Sequence, residues 1–214
     1  MRPRTNSLLS NDAIARGLAD YGFEATNNQV AQISRYVALL LLWNEKVNIT
    51  AIRDPHEILF RHFGESIWAA FLANVKSGRL ADVGSGGGFP GLPIKIAVPD
   101  LELVLIEPNA KRATFLAEVI RELGLSRVQV LVRPYQELGE EIAPIEYVCA
   151  RALGDYESLL TWAALPTTSA NTALLWLGRA DVEGVTRVAG WDWQEPVAIP
   201  HSLRRFLLIG RRRR

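Results

Sequence analysis

The chain is short of the residues that most covalent and metal chemistry uses. Its 214 residues include one cysteine, Cys149, one methionine and three histidines, His56, His62 and His201. A single cysteine forms no internal disulfide, and no Cys/His set has zinc spacing, so a disulfide scaffold is excluded and no metal is expected. Lysine is scarce as well: only Lys46, Lys76, Lys95 and Lys111 stand among 24 basic residues. The longest apolar run, Val37 to Trp43, has seven residues, far too few to span a bilayer. The first twelve residues carry two arginines but no apolar h-region, which predicts no signal peptide and, with the lone thiol, a cytoplasmic protein. Neither sign of charge is in excess. The net charge is +1, which by itself marks neither a nucleic-acid binder nor an acidic tail. No repeat and no low-complexity linker interrupts the chain.

What is present reads as globular, with 49% hydrophobic and 22% charged residues, in a length that suits one α/β domain and a small extension. The first third is helical. Ser10-Asn11-Asp12 caps a short helix that stops at Gly22, and Asn27 or Asn28 caps the next, with Val30, Ile33, Val37, Leu40 and Leu41 on one face. Asp54 caps a third helix, with Pro55 at its first position and Glu57 closing a capping box. That helix runs to about Phe71, with a break expected at Gly64. After Gly78 the period changes. Strands are expected at residues 79–83, 101–106, 128–132, 145–150, 172–177, 194–199 and 205–209. Helices are expected at 110–123, stopped by Gly124, and at 155–165, stopped by Pro166. This predicts a Rossmann-like α/β fold: a mostly parallel seven-stranded sheet with helices on both faces and an antiparallel C-terminal edge. Residues 1–75 form a helical extension packed on a core of residues 76–214. Trp43, Trp68, Trp162 and Trp176 lie in apolar patterns and are assigned to the core, as is Cys149; Trp191 and Trp193 alternate on a strand and receive no role.

The sharpest motif is Asp82-Val83-Gly84-Ser85-Gly86-Gly87-Gly88-Phe89-Pro90-Gly91, between a strand and a helix. A plain strand-to-helix turn needs one or two glycines; this one has room for a ligand against its backbone. Gly86-x-Gly88-x-x-Gly91 matches the dinucleotide fingerprint, but it starts two residues late for it. Asp-x-Gly-x-Gly-x-Gly, from Asp82 to Gly88, is the pattern associated with S-adenosylmethionine. Both readings want a carboxylate at the end of the second strand for ribose hydroxyls, and Glu107 stands there.

Several blocks together resemble one family. Trp43-Asn44, Asn48-Ile49-Thr50, Arg61-His62, the glycine loop, Lys111-Arg112 with Phe115-Leu116, and Ala150-Arg151-Ala152 occur in the order of the small-subunit ribosomal RNA methyltransferase G family, also called glucose-inhibited division protein B. A weaker echo lies at Arg204-Arg205-Phe206-Leu207. The resemblance implies a class I methyltransferase with S-adenosylmethionine as donor and N7 of one guanine in 16S rRNA as acceptor. It implies a monomer acting on a small-subunit particle, with neither DNA nor membrane as partner. Carried over by position, Gly84, Gly86 and Phe89 line the cofactor, Glu107 holds its ribose, Tyr135 and Gln136 flank its adenine, and Arg151 stands at the mouth of the site. Arg61, His62, Arg204 and Arg205 are the RNA-binding candidates, although taken by itself His62 reads first as a structural histidine. Six arginines crowd the last eleven residues, and such a basic tail beside the substrate face would grip phosphates. The sequence departs from the family at Leu177-Gly178, where a Lys-Gly pair is usual and Arg179 is the nearest replacement charge. It departs again at Glu65-Ser66, where Asp-Ser is usual. The competing readings are an NAD-dependent oxidoreductase and a non-catalytic RNA-binding protein that keeps the fold.

Overall fold

The computed structural model describes residues 9–142 and 144–213; residues 1–8 and Arg214, the last of the terminal arginines, lie outside them. The chain begins with helices α1 (Asn11–Ala19) and α2 (Asn27–Asn44). Ser10 caps the first as expected. The cap of the second is Thr26, not Asn27 or Asn28. Its hydroxyl accepts from Gln29 N while the Gln29 side chain accepts from Thr26 N, a reciprocal capping box that satisfies two orphan amides. Asp54 caps α3 (Pro55–Ile58) by accepting from Glu57 N at 2.8 Å. The second half of the expected box does not form there, because the Glu57 carboxylate turns to Arg61 at 2.6 Å.

The break expected at Gly64 is a change of helix type. A π turn, Leu59–Gly64, joins α3 to α4 (Glu65–Leu72). Then come β1 (Arg79–Val83), α5 (Gly91–Ala97), β2 (Glu102–Ile106), α6 (Ala110–Leu123), β3 (Val128–Leu131), β4 (Tyr147–Arg151), α7 (Tyr156–Ala163), β5 (Thr172–Gly178), α8 (Arg179–Thr186), β6 (Trp191–Trp193), β7 (Val197–Ala198) and β8 (Arg205–Arg212). Helix α6 starts on Asn109, whose side chain accepts from Lys111 N and Arg112 N, and ends on Gly124 at φ +63°. Helix α8 has no counterpart among the expected elements. Only Val185 of it is buried, so it carries no apolar stripe to read.

The sheet runs β3-β2-β1-β4-β5-β8-β6, with β7 pairing β8 off that path, eight strands in place of the seven expected: the strand expected at 194–199 is cut down to the two residues of β7, and β6 lies just before it. The first five are parallel, and β6, β7 and β8 are antiparallel to their neighbours. The order reverses direction between β1 and β4, the switch point where open α/β sheets bind ligands at the carboxyl ends of their strands. Strand alternation divides the core. Leu80, Leu103, Leu105, Cys149, Leu174 and Ile209 join a cluster with α1, α2, α5 and α6. Ala81, Val104, Ala150, Leu175 and Leu208 face the opposite cluster, under α7. Trp162 and Trp176 are buried, and Trp43 and Trp68 are half-buried against the first cluster. Trp191 is buried in the second, with Trp193 stacked on it at 6.0 Å.

Candidate active site

The glycine loop leaves β1 at the switch point. Ser85 ties it down, its hydroxyl donating to Asp82 O at 2.8 Å. The glycines do different work. A Cβ on Gly88 would strike the Tyr36 hydroxyl and Leu92, and one on Gly91 would lie 2.7 Å from the Asp82 carboxylate, so these two serve packing. Gly86 is the one that faces outward. Its φ is +55°, and the nearest atom to a Cβ there is Gly84 O at 3.8 Å. Its amide donates to Glu107 Oε2 at 2.8 Å, and Asn109 N donates to Glu107 Oε1 at 2.9 Å. Glu107 is only 3% exposed. A carboxylate has about four lone-pair sites, and two amides leave one open on each oxygen. A Gly86→Val variant should fold and yet lose cofactor affinity in calorimetry, because its side chain must enter the open crevice in a left-handed backbone; unchanged affinity would take the ligand away from this loop.

Three rings lock the loop from behind. Phe89 is stacked with Tyr36 (5.3 Å, 9°) and with His62 (4.2 Å, 11°). The Tyr36 hydroxyl, on α2, also donates to Gly87 O. Phe89 is buried as well, so it offers a ligand little of its ring beyond its edge and its backbone. Sequence reasoning misses Tyr36, although it stands at helical spacing from Ile33 and Leu40. Asn44, at the end of α2, closes the next turn: its Oδ1 accepts from Ile49 N and Thr50 N, and its Nδ2 donates to Thr50 O. That fixes the Thr50 hydroxyl 3.0 Å from His62 Nε2. Two blocks that carried the resemblance, Trp43-Asn44 and Asn48-Ile49-Thr50, are thus the brace for a third, Arg61-His62.

His62 is 7% exposed, and burial, followed by Arg151, Arg61 and Arg205, pushes its pKa down to about 2. That shift favours the neutral ring, and its burial sets it apart from a solvent-facing phosphate ligand. The π turn explains what lies beside it. Glu65 N donates to Phe60 O, five residues back, rather than to Arg61 O. Arg61 O instead accepts from Arg151 Nη1 at 2.6 Å. Arg151 ends β4, and the chain leaves it through Ala152 in a left-handed conformation, φ +56°. Glu65, 1% exposed, takes both ends of the Arg205 guanidinium: Nη1 donates to Oε2 at 3.1 Å and Nη2 lies 2.7 Å from Oε1. Burial pushes the Glu65 carboxyl up, against the opposing pull of Arg151, Arg205 and Arg61. Three guanidinium groups thus gather around one buried carboxylate, at the carboxyl edge of β4 and β5.

The structure gathers Gly84, Gly86, Phe89, Glu107, Arg61, His62, Arg151 and Arg205 along this edge. Other candidates sit differently. The Tyr135 ring is buried edge-on to Trp162 at 5.3 Å, whereas Gln136 is exposed. Arg204 is exposed; Arg205 is committed to Glu65. Leu177 is buried in the sheet, and Arg179, the replacement charge, lies over the Phe206 ring at 5.0 Å. The basic tail is displaced from the substrate face. Strand β8 pairs Arg205 with Gly178 and Arg211 with Thr172, so Arg211, Arg212 and Arg213 come out at the opposite edge of the sheet. There they bond Thr172, Ser169 and Asp192.

Comparison with known proteins agrees with this geometry. The family described as rRNA small subunit methyltransferase G matches residues 29–185. A ribosomal RNA small subunit methyltransferase G of Xylella fastidiosa (strain 9a5c) is 38% identical over 188 residues, 86% of this chain and 87% of that one. Among solved structures, a ribosomal protein L11 methylase from Lactobacillus delbrueckii subsp. bulgaricus has a TM-score of 0.56 at 13% identity, covering 77% of this chain and 88% of that one. TrmK of M. capricolum, in complex with its natural cofactor product S-adenosylhomocysteine, has a TM-score of 0.53 at 14% identity, covering 67% and 66%. The distant structures share the fold, and the match over residues 29–185 carries the assignment in place of the oxidoreductase reading: the chain belongs to the rRNA small subunit methyltransferase G family.

Proposed function

We propose that this enzyme transfers a methyl group from S-adenosylmethionine to N7 of a specific guanine in 16S rRNA, acting in the cytoplasm as a monomer on a small-subunit particle. The observation that carries the reading is the Gly86–Glu107 clasp at the switch point: a buried carboxylate with one lone-pair site left on each oxygen, beside a loop residue that opens onto free space. Vicinal ribose hydroxyls are a pair of donors at the spacing such a carboxylate accepts. The residues fit the cofactor there, with the Gly84–Gly86 backbone, the Phe89 edge and the segment at Tyr135–Gln136 as the remaining boundary.

The bound donor supplies a methyl group on a positively charged sulfur. Guanine N7 carries an in-plane lone pair and no proton, so no general base is needed. What the chain has to supply is alignment and exclusion of water. The neutral, buried His62 is suited to that, since a cation there would oppose the positive charge that the guanine ring acquires. Arg151 would oppose it too if aimed at N7. A guanidinium that spends Nη1 on Arg61 O keeps further N–H donors, which suit an anion as its ligand, the cofactor carboxylate or an RNA phosphate. The fixed loop and clasp also favour a working enzyme over a non-catalytic RNA-binding protein.

The test is Glu107→Ala. Binding of S-adenosylmethionine and S-adenosylhomocysteine should weaken by about 1.5–3 kcal/mol, the range for hydrogen bonds to a charged group, with NAD binding feeble in both proteins. A change under a few tenths would return Glu107 to a loop brace. Mapping 7-methylguanine in 16S rRNA from cells with and without the gene tests the acceptor.

A further inference from the structure

The turn between β7 and β8 carries an apolar side chain that nothing in the fold uses. Leu203 is 93% exposed, against 52% for Leu42, the next most exposed large apolar residue among those described. An exposed leucine alone is ordinary; its mounting is the informative part. Ser202 N donates to Ile199 O at 3.0 Å, and Ile199 is buried. The Ser202 hydroxyl accepts from Arg204 N, Arg205 N and Arg205 Nε at 3.4, 3.2 and 3.0 Å. On the other flank the His201 ring stands edge-on to Tyr21 at 5.7 Å and to Phe60 at 6.1 Å. The turn is therefore held on both sides of a tip that touches nothing.

Two exposed guanidinium groups start from the same place. Arg204 is the next residue, and Arg179 donates its backbone N–H to Arg204 O at 3.3 Å. Arg205 then bridges to Glu65, three residues after His62 in the chain. The tip thus stands at the carboxyl end of the sheet, the end that carries Arg151 and the glycine loop.

We propose that Leu203 is a wedge that enters the RNA stack beside the target guanine and opens it, while Arg204 and Arg179 hold the flanking phosphates. The inference rests on the guanine-N7 reading of the site. N7 of a stacked, paired guanine lies in the deep, narrow groove of A-form RNA, out of reach of a protein crevice. The base has to be splayed out, and apolar side chains inserted between base steps are a known means of unstacking them. A tip already held by the fold loses little further freedom when it inserts. No covalent step is involved.

The experiment compares full-length wild-type protein with Leu203→Ala and Leu203→Met on two RNAs. One holds the target guanine in a paired stem, the other leaves the same guanine unpaired. Leu203→Ala should lower kcat/KM on the stem RNA at least about tenfold, while Leu203→Met restores most of it. The stem-to-unpaired rate ratio is the diagnostic. A 2-aminopurine beside the target in the stem should brighten when wild-type protein and S-adenosylhomocysteine bind, and stay quenched with Leu203→Ala. Equal loss on both RNAs, no loss on the stem, or fluorescence that does not depend on Leu203 would overturn the wedge. If wild-type protein methylates N7 in neither RNA, the small-subunit particle is the required substrate and the mapping of 7-methylguanine in cells decides the acceptor; the fluorescence arm needs no turnover and still judges Leu203.

Discussion

Replacing Glu65 by Ala should destabilise the protein by about 3 kcal/mol, the lower end of the range for breaking a buried ion pair. The lower end applies because the Arg205 side chain keeps 27% of its exposure. Loss of the carboxylate leaves Arg61, Arg151 and Arg205 gathered with no buried counter-charge. Their repulsion should push Arg151 and Arg205 outward and unfasten β8 from α4. The functional effect should fall mainly on RNA turnover, since Glu107 and Gly86 do not touch this group. Urea melts give the stability change, and calorimetry with S-adenosylhomocysteine separates it from cofactor binding. Glu65→Gln keeps the shape and should cost less. A Glu65→Ala protein as stable as wild type would mean that solvent already screens the cluster.

Asp82 governs the second large effect. It is fully buried on the α2 side of β1, accepts from Gly91 N at 2.9 Å through Oδ2, and has no partner for Oδ1 among the described residues. Burial raises its pKa from 3.8 to about 7, outweighing the Gly91 bond that lowers it. In the unfolded chain the group ionises near 3.9, at about the usual aspartate value. Between roughly pH 4 and 7 the folded protein therefore binds the extra proton, and stability falls as pH rises through that window. Across about three pH units, at about 1.36 kcal/mol for each, the fall is on the order of 4 kcal/mol. Asn at this position keeps an acceptor for Gly91 N and does not ionise. The stability difference between Asp82→Asn and wild type should accordingly move in favour of the variant by a few kcal/mol from pH 4 to pH 7, then level off. Denaturant melts at several pH values check it; a difference independent of pH would mean that Asp82 keeps one protonation state throughout.

The parts of the molecule that the sequence disclosed are those written in local chemistry. The glycine loop, the Asn109 and Gly124 ends of α6, and the Asp54 cap depend on residues within a few positions of each other. So do the five parallel strands, whose apolar runs differ in length from helical stripes. What stayed hidden depends on distant partners. Glu65 and Arg205 are 140 residues apart, and nothing near either one announces the pair. Arg211 to Arg213 read as a tail because their side chains are charged, yet Asn171 O and Gly190 O accept from the Arg212 and Arg213 amides and draw them into the sheet. Tyr36 is indistinguishable from any other buried helix residue until Phe89 comes to lie on it. Gly64 marks a break in the helix, but nothing in Leu59 to Gly64 tells a π turn from any other interruption.

That turn has one more consequence. The atom that anchors Arg151 is a main-chain oxygen, released by a slip in the helix and not supplied by any side chain. Substituting Arg61 removes a charge from the crevice and leaves the anchor in place. A residue-by-residue alanine scan across 59–64 is blind to it, and a genetic screen limited to missense changes would rank the segment by its side chains alone. The contact is encoded in the count of residues between Asp54 and Glu65, a property of length that a substitution table does not contain.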